Sequence, residues 1–499
     1  MDSDSENAPT PSAARAMKPT QLLAKELNLF ALPPENNSFT KRQWVEHLPV
    51  YESGNSTLLF HIDGAGNQYT DLANSYLYCK IKVLVPKPQT AVFEQSNTQT
   101  ATPIDNVLHS LWSDITVKLN GTLVSTSNTN YPYKAYMENL LKFNTNAIKK
   151  QLQLIGFTGN SGNFDQNNAT EDRPNSNKGL VERNKWFRKV QSVIPFDTTE
   201  GLTENETQEK KDWNAAGEFT WITPSAVEFY GPLMADFCQQ DRLILNGVDI
   251  DIKLTPTSNS FRLMVYPDGI GARIELEEVK FMVCRVTVAN ETFLGIEKNL
   301  QTYPVVYPFA RSDVRIFNMA AGLYSNTWES LYQGEVPSKL LVGIVNTEAY
   351  EGSYKLNPYR FQPFDIDTLA FYVDDEPRPR QPFSFNTRDD GYIEGLQSLY
   401  EVTGKWTKNT DLIVDRESYR QGLFLVAFDV DGATSPNLTS YVGKISHGRT
   451  RLYIKFKKAL PHNVTIIVYG AFQEIAQIDQ ARNVFLKEKD KDKRKAGRG

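Results

Sequence analysis

The chain has 499 residues, 40% of them hydrophobic, and carries 54 basic against 59 acidic side chains for a formal net charge of -5. That length exceeds what one hydrophobic core usually supports and predicts at least two domains, while the lack of a global basic field argues against a folded body that wraps nucleic acid. Cys79, Cys238 and Cys284 lie far apart in apolar alternation, with no CxxC or Cys/His spacing, so buried free thiols are expected rather than a disulfide framework or a zinc site.

Residues 1–20 are polar and proline-spotted, which predicts a disordered arm and neither a signal peptide nor a membrane span. The sequons at Asn55, Asn168 and Asn437 are accordingly expected to stay unmodified. STLLFHIDGAGNQYTDL predicts a strand, a turn and a re-entry. SYLYCKIKVLV then sets Leu77, Cys79, Ile81, Val83 and Val85 on one face and Tyr76, Tyr78, Lys80 and Lys82 on the other, the pattern of a half-buried antiparallel strand. In TVKLNGTLVS, Asn120 and Gly121 separate two alternating runs, the signal for a type I′ hairpin.

The next stretch, NYPYKAYMENLLKF, places Tyr133, Tyr136, Met137, Leu140 and Leu141 at helical spacing. It predicts a short amphipathic helix with Asn130 as cap, Pro132 in the first turn and a Glu138–Lys142 pair on the outer side. The expected role is to cover apolar sheet surface within one domain. Residues 156–184 and 198–214 are polar and turn-rich, and predict long surface loops.

Strands resume in RLILNGVDIDIKLTP, which turns at Asn246 and Gly247, and in ARIELEEVKFMVCRVTV, whose phase implies a bulge near Glu277 to Val279. A short helix over 289–304 marks the expected boundary between halves. Beyond it VVYPF, DVRIFNM, PSKLLVGIV, DTLAFYV, GLFLVAFDV, TRLYIKFKKALP and NVTIIVYGAF read as strands, and QEIAQIDQARNVFL as a closing helix. The runs LLVGIV and LFLVAF have the length of buried strands and are too short to cross a bilayer. NGVDIDIKL and HGRTRLYIKF echo one another in corresponding places, which suggests two similar β domains in tandem, sandwiches or jelly rolls.

No reaction chemistry is legible. The five histidines lack metal-binding spacing, and neither HExxH nor GxSxG occurs. Ser446 and His447 are neighbours that point to opposite faces, so His447 reads as a turn residue, and Gly64 to Gly66 as a β turn. Asp249 and Asp251 read as a solvated strand face, Asp374, Asp375 and Glu376 as a solvated loop. KEKDKDKRKAGRG reads as a solubilising tail. No catalytic, cofactor-binding or metal-binding residue is assigned, and no enzyme activity is expected.

Taken together, GNQYTDLANSYLYCKIKV, SLWSDITVKLNGTLVSTSNTNYPYKAYMENLLKF, LILNGVDIDIKLTPTSNSFRLM, VPSKLLVGIVNTEAYEGSYKLNPYRFQPFDIDTLAFYVDDEPRP, SYRQGLFLVAFDV and RLYIKFKKALPHNVTIIVYGAFQEIAQIDQARNV resemble, in the same order, the major capsid proteins of the Polinton (Maverick) and adintovirus group. The resemblance implies an all-β double jelly roll, two tandem eight-stranded rolls with short helical insertions and long surface loops. The expected limits are an arm over 1–20, a first roll over 21–295, a second over 296–485 and a charged disordered tail over 486–499. It implies a homotrimer of pseudo-hexameric outline that tiles an icosahedral virion shell, with penton and minor capsid proteins as further partners, packaged double-stranded DNA only as an indirect one, and no cofactor.

Its structural signature comprises Asn120, Gly121, Tyr131, Pro132, Tyr133, Tyr136, Met137, Leu140, Asn246 and Gly247, the Tyr-Pro-Tyr helix being an insertion in the first roll. The asparagine-rich stretch 159–179 and the tail match nothing in the family pattern. Two other readings stand beside the capsid one: a carbohydrate-binding or glycosidase-type sandwich, and a host gene derived from a viral capsid gene.

Overall fold

A computed structural model describes residues 38–51, 57–64, 66–84, 100–125, 129–169, 175–187, 226–267, 272–332, 334–379, 381–385, 391–430 and 447–486. The predicted arm, the 198–214 loop and all of the predicted tail but Leu486 lie outside them.

Eleven strands precede residue 289: β1 (Phe39–His47), β2 (Val50–Tyr51), β3 (Leu58–Ile62), β4 (Gln68–Leu84), β5 (Thr100–Pro103), β6 (Trp112–Leu119), β7 (Thr122–Ser125), β8 (Val227–Pro232), β9 (Ile250–Pro256), β10 (Leu263–Tyr266) and β11 (Arg273–Val288). They form a sheet in the order β1-β11-β4-β8, a facing sheet β2-β3-β9-β6-β7, and the small pair β10-β5. Ten follow residue 304: β12 (Val305–Met319), β13 (Ser325–Glu329), β14 (Lys339–Asn346), β15 (Ile366–Val373), β16 (Glu376–Pro377), β17 (Phe383–Ser384), β18 (Leu425–Asp429), β19 (Thr450–Phe456), β20 (Val464–Ile478) and β21 (Val484–Leu486). These form β12-β20-β14-β18, joined by β21, and β13-β19-β15-β16, joined by β17.

When the eight main strands of each set are lettered B to I in chain order, both sets show one sheet ordered B-I-D-G and another ordered C-H-E-F, the jelly-roll arrangement. The protein is a double jelly roll. Among the described strands none pairs across the two sets, and the helix Asn290–Leu300 joins them. Buried apolar side chains form one cluster that continues through both rolls and the seam between them.

The alternation in β4 places Leu77, Cys79, Ile81 and Val83 in the core, with Tyr76, Tyr78, Lys80 and Lys82 half-exposed. Its partner β11 shifts register between Leu276 and Glu278, and again between Met282 and Cys284. Cys79, Cys238 and Cys284 are buried free thiols. The Asn120–Gly121 turn has both residues at positive φ, 45° and 78°, whereas at 246–247 only Gly247 is left-handed.

Two expectations fail. QEIAQIDQARNVFL is not helical: its first half continues β20, with Gln473 to Ile478 paired to Ala310 through Val305, and Val484–Leu486 is β21. Cross-strand pairing along a 15-residue partner outweighs the helical spacing of its apolar residues. The described residues within 156–184 are not a surface loop either. They carry a helix, Lys178–Phe187, and bury Phe164, Asn177 and Arg183.

Backbone geometry separates two glycines with open surroundings. Gly121→Ala forces a side chain into the left-handed region at φ +78° and should cost about 1–2 kcal/mol. Gly295→Ala, inside the helix Asn290–Leu300, should stabilise by about 0.5–1 kcal/mol. Thermal or urea melting of the two variants, with opposite signs, checks both conformations.

Candidate functional site at the seam of the two rolls

Two short helices of the first roll build the seam: α1 (Val107–Ser110) and α2 (Tyr131–Lys142). Pro132 sits in the first turn of α2 as expected, but the helix is buried almost all round, including Tyr131, Tyr133, Tyr136, Met137, Leu140 and Lys134. It does not lie within one roll. Tyr136 stacks on Tyr359 of the second roll at 4.0 Å and 2° between planes. Tyr133 stacks on Tyr350 at 5.7 Å and meets Tyr359, Phe361 and Phe261 edge-on. Each such pair contributes about 0.5–1.5 kcal/mol beyond the area it buries.

The expected capping and pairing of α2 are replaced by bonds across the seam. Asn130 makes no cap; its Nδ2 donates to Val314 O at 3.3 Å and its Oδ1 accepts from the Tyr350 hydroxyl at 3.1 Å. Glu138 pairs with Lys134 at 2.8 Å rather than with Lys142, and accepts from the Tyr469 hydroxyl at 3.0 Å. It therefore faces the second roll, not solvent. The Lys134 ammonium also meets Asp236 at 3.2 Å, and both residues are buried. Burial alone would push Lys134 down; Asp236 and Glu138 more than offset it and hold the ammonium above the ordinary lysine value.

Asp236 carries the network onward, accepting from Ser312 N at 3.0 Å and Ser312 Oγ at 2.7 Å. Ser312 lies on β12, the terminal strand of its sheet. Arg242 donates to Val306 O of the same strand at 2.5 Å. Arg242, Asp236 and Asn130 thus cap the outer edge of β12 with side chains in place of a neighbouring strand.

The asparagine-rich stretch is a second clasp. Asn177 donates to Asn160 Oδ1 at 3.2 Å and Phe164 O at 3.1 Å, and Arg183 forms a fully buried pair with Asp105 at 2.9 Å. Asp105 also accepts from Thr158 N and Gly159 N. From this platform Asp165 reaches the second roll, accepting from Asn357 N at 3.0 Å and pairing with Arg360. Gly162 N donates to Gln421 Oε1 at 3.0 Å.

The two Asn-Gly turns form a third, at Arg482. Asn120 Nδ2 donates to Arg482 O at 2.8 Å, and Arg482 donates to Asn246 O at 2.9 Å and to Asn246 Oδ1 at 3.1 Å. Glu297 pairs with the same guanidinium at 2.6 Å. Of the ten signature residues, Tyr133, Tyr136, Asn120 and Asn246 touch the second roll directly. Asp236, Asp105, Arg183, Tyr359 and Arg482 escaped the sequence reading because their partners are tens to hundreds of residues away, and Lys134 because Glu138 was expected to pair with Lys142 instead.

A cleft of about 740 Å³ opens where α2 meets the second roll, lined among others by Met137, Glu138, Arg242, Phe309, Lys339 and Lys405. Its cations bond within the protein: Lys339 Nζ to Val402 O at 2.7 Å, Lys405 Nζ to Lys142 O and Asp411 O, both at 3.1 Å. His447 Nδ1 donates to Gly334 O at 2.8 Å, and His61 sits between Asp251 and Asp63 at 2.6 and 3.0 Å. No group of three or more His, Cys, Asp or Glu among the described residues is placed to hold a metal, and none of the described helices is long and apolar enough to cross a membrane.

Lys134→Met leaves Asp236 and Glu138 uncompensated and should cost about 3–5 kcal/mol in a denaturant melt. Glu138→Ala strips an acceptor from Tyr469 and a partner from Lys134 and should cost about 1–3 kcal/mol, well above an exposed helix pair. His109, fully buried with Nδ1 2.9 Å from the Tyr131 hydroxyl, is pushed down to about 3 by burial and by the Lys134 ammonium. The unfolded imidazole titrates near 6.5, so this group's contribution is complete above about 6.5 and is lost as pH falls toward 3. His109→Gln should accordingly flatten the fall in melting temperature between about pH 6.5 and 5.

No family model matches the chain. An uncharacterised protein of Caenorhabditis elegans is 22% identical over 442 residues, which cover 85% of this chain and 91% of that protein. Among solved structures, the chain resembles that of the virophage Sputnik, with a TM-score of 0.55 and 11% identity over 99% of this chain and 96% of the other. The mavirus major capsid protein matches with a TM-score of 0.50 and 10% identity over 97% of both chains. PBCV-1 VP54, fitted into a Sputnik reconstruction, matches with a TM-score of 0.51 and 10% identity over 92% of this chain and all of the other. What this chain shares with them is the double jelly-roll fold.

Proposed function

We propose that the protein is a structural shell subunit, the major capsid protein of a virus or virus-like element of the Polinton/Maverick and adintovirus group. Three copies form a pseudo-hexameric capsomer, and capsomers tile an icosahedral virion shell. The observation that carries this reading is the likeness, over nearly the whole chain, to structures described as virophage and capsid proteins, both rolls being matched together rather than one. The seam supports it, since a subunit that tiles must hold its two rolls in one fixed relation, and three separate polar and aromatic clasps do so here. The same reading puts the proposed boundary between the rolls at 295/296, which falls within the helix Asn290–Leu300. Partners beyond other copies are penton and minor capsid proteins, and the work done is contact rather than chemistry.

A second reading, a cellular gene derived from such a virus, is favoured by the Caenorhabditis elegans relative, which aligns over nine-tenths of its own length. Light scattering at micromolar concentration should return three chain masses, and electron microscopy should show hexagonal particles or closed shells. A single chain mass rejects the capsid reading, and trimers that never close into shells favour the second.

A further inference from the structure

The cleft between α2 and the second roll is a cavity to which a purely structural role gives no task. At about 740 Å³ it falls within the size range of small-molecule sites. Met137 and Leu141 of α2, Phe309 of β12 and Leu341 of β14 make its walls apolar. Four cations also line it, Lys142, Arg242, Lys339 and Lys405, against three acids, Glu138, Asp236 and Asp241.

The acids and the cations are held in different ways. Glu138 and Asp236 share the buried Lys134 ammonium, at 2.8 and 3.2 Å, so their charge is answered from within the protein. Among the described residues, Lys339, Lys405 and Arg242 instead hold backbone carbonyls, which accept their hydrogen bonds without cancelling their charge. Lys405 Nζ spends its three N–H groups on Lys142 O, Phe143 O and Asp411 O, at 3.1, 3.3 and 3.1 Å, and stands as a fixed positive charge. Lys339 Nζ donates among these residues to Val402 O alone, at 2.7 Å, which leaves two N–H groups for a guest. Burial pushes Lys339 below the ordinary lysine value and Asp429 only partly opposes it, so a close negative partner is what this ammonium lacks. The register sets Lys339 level with Ser312 of β12, through Ala471, whereas Arg242 is held at Val306, six residues along the same strand. That is about 20 Å, so Lys339, with Lys405 behind it, is the cation a single carboxylate meets, and the apolar wall runs on toward Arg242.

We propose that this cleft binds a small amphipathic carboxylate, whose charged end sits on Lys339 and whose apolar body lies along Leu141, Met137 and Phe309. Lys339 supplies direct hydrogen bonds, which are strongest between ions of opposite charge, and Lys405 adds attraction without donating. The inference does not depend on the capsid reading. Because α2 belongs to the first roll and Lys339 to the second, the bound molecule touches both and tightens the seam. It binds the folded chain alone, so it raises the melting temperature.

Octanoate, octan-1-ol and octylamine share one apolar body and differ in charge, and isothermal titration of each into the full-length protein tests the site. Octanoate should bind at one saturable site and raise the melting temperature. The alcohol should bind at least about tenfold more weakly, for want of a charge-assisted hydrogen bond, and the amine should not bind. Equal affinity for octanoate and octan-1-ol overturns the carboxylate site, as does tighter binding of the amine. Uptake of all three without saturation overturns the cleft as a site.

Two variants place the site. Lys339→Met should weaken octanoate at least about tenfold and leave octan-1-ol unchanged, whereas Ala471→Phe, which fills the cleft beside Lys339, should weaken both. Unchanged octanoate affinity in either folded variant overturns the placement. A diazirine-bearing octanoate analogue, photo-crosslinked to the wild-type protein, locates the site without any substitution and so decides the matter even where a variant fails to fold. Peptides that contain Met137 and Leu141, or Phe309, should carry the label, and labelling confined to other segments overturns the proposal.

Discussion

An unpaired strand edge is costly to leave open, and the way the edge of β12 is closed organises the molecule. Its carbonyls and amides cannot be left in a dry seam, and no ninth strand is present among the described residues to take them. The first roll supplies Arg242, Asp236 and Asn130 instead. Each must be held in place, so Asp236 requires Lys134, Lys134 requires Glu138, and Glu138 meets Tyr469 back on the second roll. The helix α2 is where it is because it delivers Asn130, Lys134 and Glu138 to this one strand and sheet.

Buried charge is a poor source of stability but a good source of uniqueness. The Arg183–Asp105 pair surrenders hydration that its attraction only partly returns. Apolar packing would hold two sandwiches together in several nearly equivalent ways. A seam that mixes stacked tyrosines with charges tolerates one arrangement, since a small slip leaves an ion unpaired. The aromatic pairs supply adhesion and the polar clasps at Asp236, Asp165 and Arg482 fix the angle.

The two rolls share strand order and sheet pairing, yet their connections diverge. In the first roll the F-to-G connection carries α2, the asparagine-rich clasp and the helix Lys178–Phe187; in the second it carries the helices Ile393–Thr403 and Arg416–Gln421. The conserved sheets provide rigid bodies, and the unequal insertions give each roll a different surface. That inequality is what allows one roll to cover the other inside the chain.

The period-two alternation of β4, the left-handed Asn120–Gly121 turn and the helical phase of α2 were legible in the sequence, because each depends on neighbours a few residues away. So was the tandem β character. The fate of QEIAQIDQARNVFL was not, because helical spacing is local whereas its pairing with β12 joins positions more than 160 residues apart. The polar stretch 156–184 looked like a surface loop for the same reason: its burial is permitted only by Asp105 and by second-roll residues such as Asn357, and composition does not record which donors will meet it. By itself the sequence determined the alternating strands such as β4, the Asn120–Gly121 turn and the apolar stripe of α2; the tertiary structure alone decided that this helix would be enclosed, since enclosure depends on where distant surfaces come to rest and not on the periodicity of the segment itself.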